Sequence, residues 1–455
     1  MPASARRRVL AACVGAGVSA LLLVPVASTG TGPTLADELR AHEIRLADLR
    51  GARLPARAAS TWCGTPAQGD RRPNVIAGHP VHWVYALPAD GPDALASFAN
   101  AMQTDAEVID AWWKGQDPTR TPRNDLAVFP CGAQLDITSV RFPQSAQQLT
   151  GAGRFGLIAT GLEAAGLRSP FTKYVVYYDG PVLDDRICGQ GGSDRTGFGL
   201  AVVYARACAG VSTAVVAAHE LLHTFGAVAT GAPNECTGEN DSHVCDDERD
   251  VMYPFIDQST LETRLLDVGR DDYYGHGGSW VDARTSPWLY HLDAQAPLSL
   301  SLAGPGDVSA DVPGLECGAS CTTSWNPGTR LALTAVPRPG AKLVRWGGAC
   351  AGAASCQVTL AQAATVSALF APLAYRLSVR ISGRGTVRSS RRGLTCRPRC
   401  AASFPSFAPV RLTAKPAAGW RLRSWTGACR GSRLVCTVPM TRTTRAGATF
   451  VRVRR

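Results

Sequence analysis

His219, Glu220 and His223, in the segment His-Glu-Leu-Leu-His, are the residues of this chain whose types and spacing prescribe a chemistry. The stretch from Ser212 to Phe225 reads as a helix, because Ser212 can cap it and Val215, Val216, Leu222 and Phe225 give it apolar faces. One helical turn separates the two histidines, so both imidazoles point the same way and can ligate a single Zn²⁺. Zinc lowers the pKa of a bound water toward about 7 and polarises a carbonyl, while Glu220 can accept the proton that the water loses. Those steps together hydrolyse a peptide bond. An ordinary buried helix with satisfied core histidines is the plain alternative, but it gives Glu220 no task beside them.

A catalytic zinc usually keeps three protein ligands and one open position, so a third ligand is expected downstream. Gly226 can end the helix in a left-handed conformation and turn the chain back beneath the metal. This His-Glu-x-x-His-x-x-Gly arrangement resembles the metzincin zinc peptidases, in which the third ligand follows three residues after the glycine and a methionine-containing turn lies further on. Here that position is Ala229, which cannot ligate. His243 is the expected replacement, on a longer loop that a Cys236–Cys245 bridge would hold, and Met252 of Asp250-Val-Met-Tyr-Pro follows where the resemblance expects its turn. His276, Asp241 and Glu239 compete with His243. Tyr253, Tyr273, Tyr274 and His276 are candidates for binding substrate or an oxyanion, with a purely structural role the expectation for each. The resemblance spans about residues 62–292 but its motif is confined to Ser212–Pro254, and it implies an α/β (α+β) catalytic domain with a mixed sheet and an active-site helix.

The elements that must position this helix are partly visible. Apolar strand-like runs occur at Val81–Leu87, Tyr174–Tyr178 and Phe198–Tyr204, and helical patterns at Leu95–Trp113 and Ser145–Leu167. Their alternation argues for a mixed sheet backed by helices. Upstream, Leu35, Leu39, Leu46 and Leu49 set out a short helical pattern, so residues 29–58 read as a helical spacer or pro-segment. Cys63-Gly-Thr-Pro resembles the inhibitory cysteine of some metzincin pro-segments, yet cysteine parity favours Cys63–Cys131 and Cys188–Cys208 bridges. The acidic run Asp246–Asp250 and the pair Asp271-Asp272 lack EF-hand spacing, so calcium has no support there and solvated surface charge is the expectation.

At 455 residues, more than one domain is expected. Arg6-Arg7-Arg8 before an apolar run from Val9 to Val24 reads as a secretory signal over residues 1–28. Its removal takes Cys13 with it and leaves an even set of cysteines, as suits a disulfide-bonded extracellular protein. The catalytic domain is assigned to residues 59–292. Beyond it, an offset of 79 residues aligns Gly304, Gly306, Val308, Cys317, Cys321, Trp346 and Cys350 with Gly383, Gly385, Val387, Cys396, Cys400, Trp425 and Cys429. This is a tandem duplication of β-rich modules, 296–372 and 373–455, with disulfide connectivity left open. Both copies resemble the divergent internalin-type B repeats of bacterial surface and secreted proteins.

The net charge of +11 is unevenly spread, since Tyr375–Arg455 holds 19 Arg plus Lys and no acid, leaving −8 for the rest. The function expected is a secreted zinc endopeptidase acting on protein or peptide, with the basic module free to bind an anionic envelope or another polyanion. An adhesion protein with a structural or vestigial metal site is the alternative. A zinc hydrolase of a non-protein amide is a third.

Overall fold

A computed structural model describes residues 38, 39, 41–47, 60–65, 77–315, 320–391 and 393–453. The expected signal segment lies outside them. Within the first large unit, a seven-stranded mixed sheet is built from β1 (His42–Leu46), β2 (Val81–Leu87), β3 (Ile137–Arg141), β4 (Lys173–Tyr178), β5 (Ile187–Ser193), β6 (Gly199–Tyr204) and β7 (Phe255–Ile256). Their spatial order is β7-β1-β5-β6-β4-β2-β3. Strands β2, β4 and β6 are buried along their whole length, which is why they read as unbroken runs of β-branched and aromatic residues rather than as alternating ones. They pair in parallel with one another, whereas β5 runs antiparallel to β6.

Three helices back the sheet: α1 (Leu95–Gln116), α2 (Arg154–Ala164) and α3 (Thr213–Thr224). Helix α1 buries Ala99, Met102, Ala106, Ile109 and Trp113, a stripe at helical spacing. Helix α2 is shorter than its sequence pattern, because the glycines at 151 and 153 interrupt it and leave only a 3₁₀ turn at Gln147–Leu149 before it. Asp105 of α1 joins three elements, accepting hydrogen bonds from Tyr177 Oη of β4 at 2.6 Å and from Thr213 Oγ1 of α3 at 2.5 Å. No described helix is long and apolar enough to cross a membrane.

Residues 42–46 depart from the helical pattern expected of them and form a strand. Their amides find partners on two neighbouring strands, and tertiary pairing of this kind overrides a weak local preference. The rest of the spacer lies outside the described residues.

The C-terminal modules are β-sandwiches. In the first, the strands 296–303 and 364–372 lie side by side in parallel at the centre of a four-stranded sheet, facing a three-stranded one. The second repeats this with 374–382 and 444–452. Trp346 Nε1 donates to Ala354 O and Trp425 Nε1 to Arg433 O, the same bond 79 positions apart. Connectivity, open in the sequence, is local: Cys350–Cys356, Cys396–Cys400 and Cys429–Cys436 are bonded. The first module is fastened to the larger unit by buried Asn326, whose Nδ2 donates to Leu289 O and whose Oδ1 accepts from His291 N and Arg123 Nη2.

Candidate metal centre

Helix α3 packs on β5 and β6 and carries His219, Glu220 and His223 on its inner side, all buried. Ser212 occupies the N-cap without a side-chain bond, so the helix is held by packing rather than by its cap. At the other end Gly226 has φ +83°, its N–H donates to His223 O and that of Ala227 to Leu222 O. Those two bonds form a Schellman motif, which reverses the chain beneath the histidines. The loop then returns His243, pinned by the Cys236–Cys245 disulfide and by a backbone bond from Cys236 N to His243 O.

The three imidazoles converge. His223 Nε2 stands 3.1 Å from His219 Nε2 and 3.4 Å from His243 Nε2. Ligand nitrogens about 2.0–2.1 Å from a tetrahedral zinc are separated by about 3.3 Å, so the spacing fits that ion. The remaining ring nitrogens agree: His219 Nδ1 faces Val251 O at 2.6 Å and His243 Nδ1 faces Asp241 O at 3.0 Å. A ring that donates from Nδ1 to a carbonyl leaves the Nε2 lone pair free for a metal. Burial, and for His219 and His223 the neighbouring imidazoles, lower the pKa values of all three, with His243 brought to about 4. Neutral imidazole is the ligating form.

Beneath them runs the turn at Asp250–Tyr253. Met252 is fully buried, and Asp250, also buried, accepts from Met252 N, Val268 N and Tyr273 Oη. Asp250 is therefore a structural clamp and not the solvated charge expected of it, and burial pushes its pKa up to about 7. Asp272 is likewise buried, accepting from Asn234 N and Nδ2, and Asp267 accepts from Tyr273 N and Asp272 N. Backbone and side-chain donors thus occupy this acidic group, although Asp267, Asp271 and Asp272 lie close together.

The competitors for the third position are elsewhere. His276 stacks on Trp280 with its Nε2 toward Val281 O, and Glu239 and Asp241 are exposed on the loop. Tyr273 and Tyr274 are buried, their hydroxyls bonded to Asp250 and Asp117. Tyr253 is half-buried against Phe255. Cys63 is bonded to Cys131 and Cys188 to Cys208, so Cys63 has no thiol to offer a metal.

Glu220 lies against β5. Its Oε1 accepts from Ile44 N at 3.4 Å, while its buried Oε2 has no hydrogen-bond partner among the described residues. Burial raises its pKa well above the usual carboxylate value. The strand accommodates it through glycine: a Cβ on Gly189 or on Gly191 would stand 2.6 Å from a Glu220 carboxylate oxygen. Strand β1 completes the site, with the His42 ring stacked on His223 at 4.8 Å. Sequence reasoning missed His42, Ile44, Gly189 and Gly191. The sole signal for the first pair was a weak alternation, His42-Glu-Ile-Arg-Leu, and the glycines carry no periodicity at all.

A model of the divergent InlB B-repeat domain matches residues 309–374 and 399–454. The tail modules match B-repeats. No curated protein matches the sequence. Among solved structures the chain is similar to the Bacillus anthracis TIE protein, at 7% identity and a TM-score of 0.24, covering 36% of this chain and 35% of that one. It is similar to the major pilin T-13 of Streptococcus pyogenes at 9% identity and 0.18, covering 35% and 97%. Catalytically inactive OgpA of Akkermansia muciniphila gives 10% identity and 0.27, covering 85% and 99%. Likenesses this distant support no inference about activity.

Proposed function

We propose that the chain is a secreted zinc-dependent endopeptidase with a metzincin-like catalytic domain over residues 59–292, followed by two B-repeats. The observation that carries this reading is the convergence of three buried Nε2 atoms, those of His219, His223 and His243, beside a buried carboxylate with an unpartnered oxygen. His219, His223 and His243 would hold the ion. A bound zinc acidifies water and polarises a carbonyl. Glu220 accepts the proton and can pass it to the leaving amine, and a divalent cation nearby favours its ionised form against the burial that otherwise neutralises it. The tautomers fixed by Val251 O and Asp241 O keep the imidazoles aimed at one point, and the Met252 turn holds that arrangement from below. Disulfides through every module suit the oxidising surroundings of an exported protein.

Purified protein is expected to carry one zinc per chain by elemental analysis and to digest an unfolded protein substrate. Chelation with 1,10-phenanthroline should abolish digestion, and added zinc should restore it. Stoichiometric zinc with no digestion would favour the adhesion reading, in which the centre is structural or vestigial.

A specific feature supports surface attachment as an accessory role. In the second B-repeat a cleft of about 640 Å³ is lined by Arg384, Arg388, Arg397 and Lys415. The aligned positions of the first repeat are Pro305, Ser309, Gly318 and Val336, none of them charged. A cationic cleft confined to one copy of a duplicated fold suits a polyanionic envelope partner. Replacing all four cations by glutamine is expected to halve, at least roughly, the slope of log affinity for an anionic glycan against log salt, because that slope follows the number of ions displaced. An unchanged slope would leave the tail without this role.

A further inference from the structure

Strand β1 is placed where an incoming peptide would have to lie. It pairs antiparallel with β5 along His42↔Gly191, Glu43↔Gln190 and Ile44↔Gly189, and parallel with β7 along Arg45↔Phe255 and Leu46↔Ile256. Strands β5 and β7 do not pair with each other, so β1 alone bridges their edges. Nearly all of its bonds are main-chain: Arg45 N donates to Pro254 O, Leu46 N to Arg186 O and Ala47 N to Ile256 O. Bonds of that sort accept any extended chain, which is the basis of strand addition in peptide recognition. Two side chains give the segment its hold, Leu39 and Ile44, both buried in the core of the large unit.

The strand also crosses the metal centre. Its His42 ring covers the face of His223 and approaches the His243 ring edge-on at 6.4 Å. Two residues on, Ile44 N donates to Glu220, so the Glu43–Ile44 peptide bond lies next to the carboxylate assigned as base. Gln190 Nε2 steadies the residue between them by donating to Glu43 Oε1 at 2.7 Å.

We propose that residues 39–47 are an intramolecular occupant of the peptide-binding groove, holding the site closed in the intact chain until the segment is displaced or cut away. This rests on the peptidase reading for what the groove normally receives. A tethered segment acts at an effective concentration on the order of millimolar, so a peptide supplied at about 10 µM is outcompeted roughly 100-fold. Cys63 takes no part, since it is bonded to Cys131.

The test compares the intact zinc-loaded chain with the same chain carrying a site-specific protease sequence in place of residues 51–56, cut after folding. An Ile44→Asp chain serves as a second opened form, should the cut segment stay bound. Two readouts are taken, digestion of an unfolded protein and affinity for acetohydroxamate, a small zinc-binding probe. Opened forms are expected to digest about 100-fold faster, with a synthetic peptide of residues 38–47 restoring inhibition in trans. They are also expected to bind the probe more tightly. Equal rates and equal probe affinity in intact and opened forms would overturn the occupant. If no form digests protein but opening still tightens the probe, the occupant stands and the peptidase reading falls; if no form digests and probe affinity is unchanged, both fall.

Discussion

Glu220→Gln is expected to leave zinc bound at one per chain and to cut the rate of protein digestion, in the opened enzyme, by about 10²–10⁴-fold, the usual contribution of a positioned proton-transfer group. Glutamine keeps the shape of the side chain, which matters because Glu220 is wedged between α3 and the bare face of β5. It also keeps an oxygen to accept from Ile44 N. What it removes is the capacity of a carboxylate to take up a proton. Metal content by elemental analysis and initial rates on one unfolded substrate settle the matter together. Equal rates in the two proteins would strip Glu220 of its assigned role, while loss of zinc would mean that the carboxylate supports the centre rather than the reaction.

The second large effect is expected at His243. Its replacement by alanine should weaken zinc binding by at least roughly 100-fold, since even partners outside the ligand set are worth about 10–100-fold in affinity. His276→Ala should leave affinity unchanged, because that ring is stacked on Trp280. Competition with a chromophoric chelator measures both. The contrast tests whether a loop longer than the motif prescribes delivers the third imidazole. Comparable losses in the two variants, or none in either, would show that the ligand set has been misassigned. The Cys236–Cys245 bridge and the bond from Cys236 N to His243 O make the loop's return independent of its length.

What the sequence conveys here follows from how local each feature is. The helical turn that joins His219 to His223 and the left-handed exit at Gly226 depend on neighbours within a few residues, so spacing alone reveals them. His243 and Met252 could be named because a cysteine pair and a turn motif bracket them in the chain. Central strands β2, β4 and β6 announce themselves as apolar runs. Strand β1 does not, because its conformation is imposed by hydrogen bonds to residues far along the chain, and its leucines counted equally well toward a helix. Strand β5, Ile-Cys-Gly-Gln-Gly-Gly-Ser, is hidden for another reason: glycine supplies neither hydrophobicity nor periodicity. Asp250 and Asp272 were taken for surface charges because burial of an acid with its full set of donors leaves no mark in composition.

The bareness of β5 has a wider meaning. Where Gly189 and Gly191 meet the helix, the reactive carboxylate is seated by peptide backbone alone, with no side chain whose identity would advertise the contact. A single added methyl group at either position must push the helix outward and drag two imidazoles with it. Loss of activity in a natural variant could therefore trace to residues that touch neither ion nor peptide, and a survey restricted to polar side chains would pass over them.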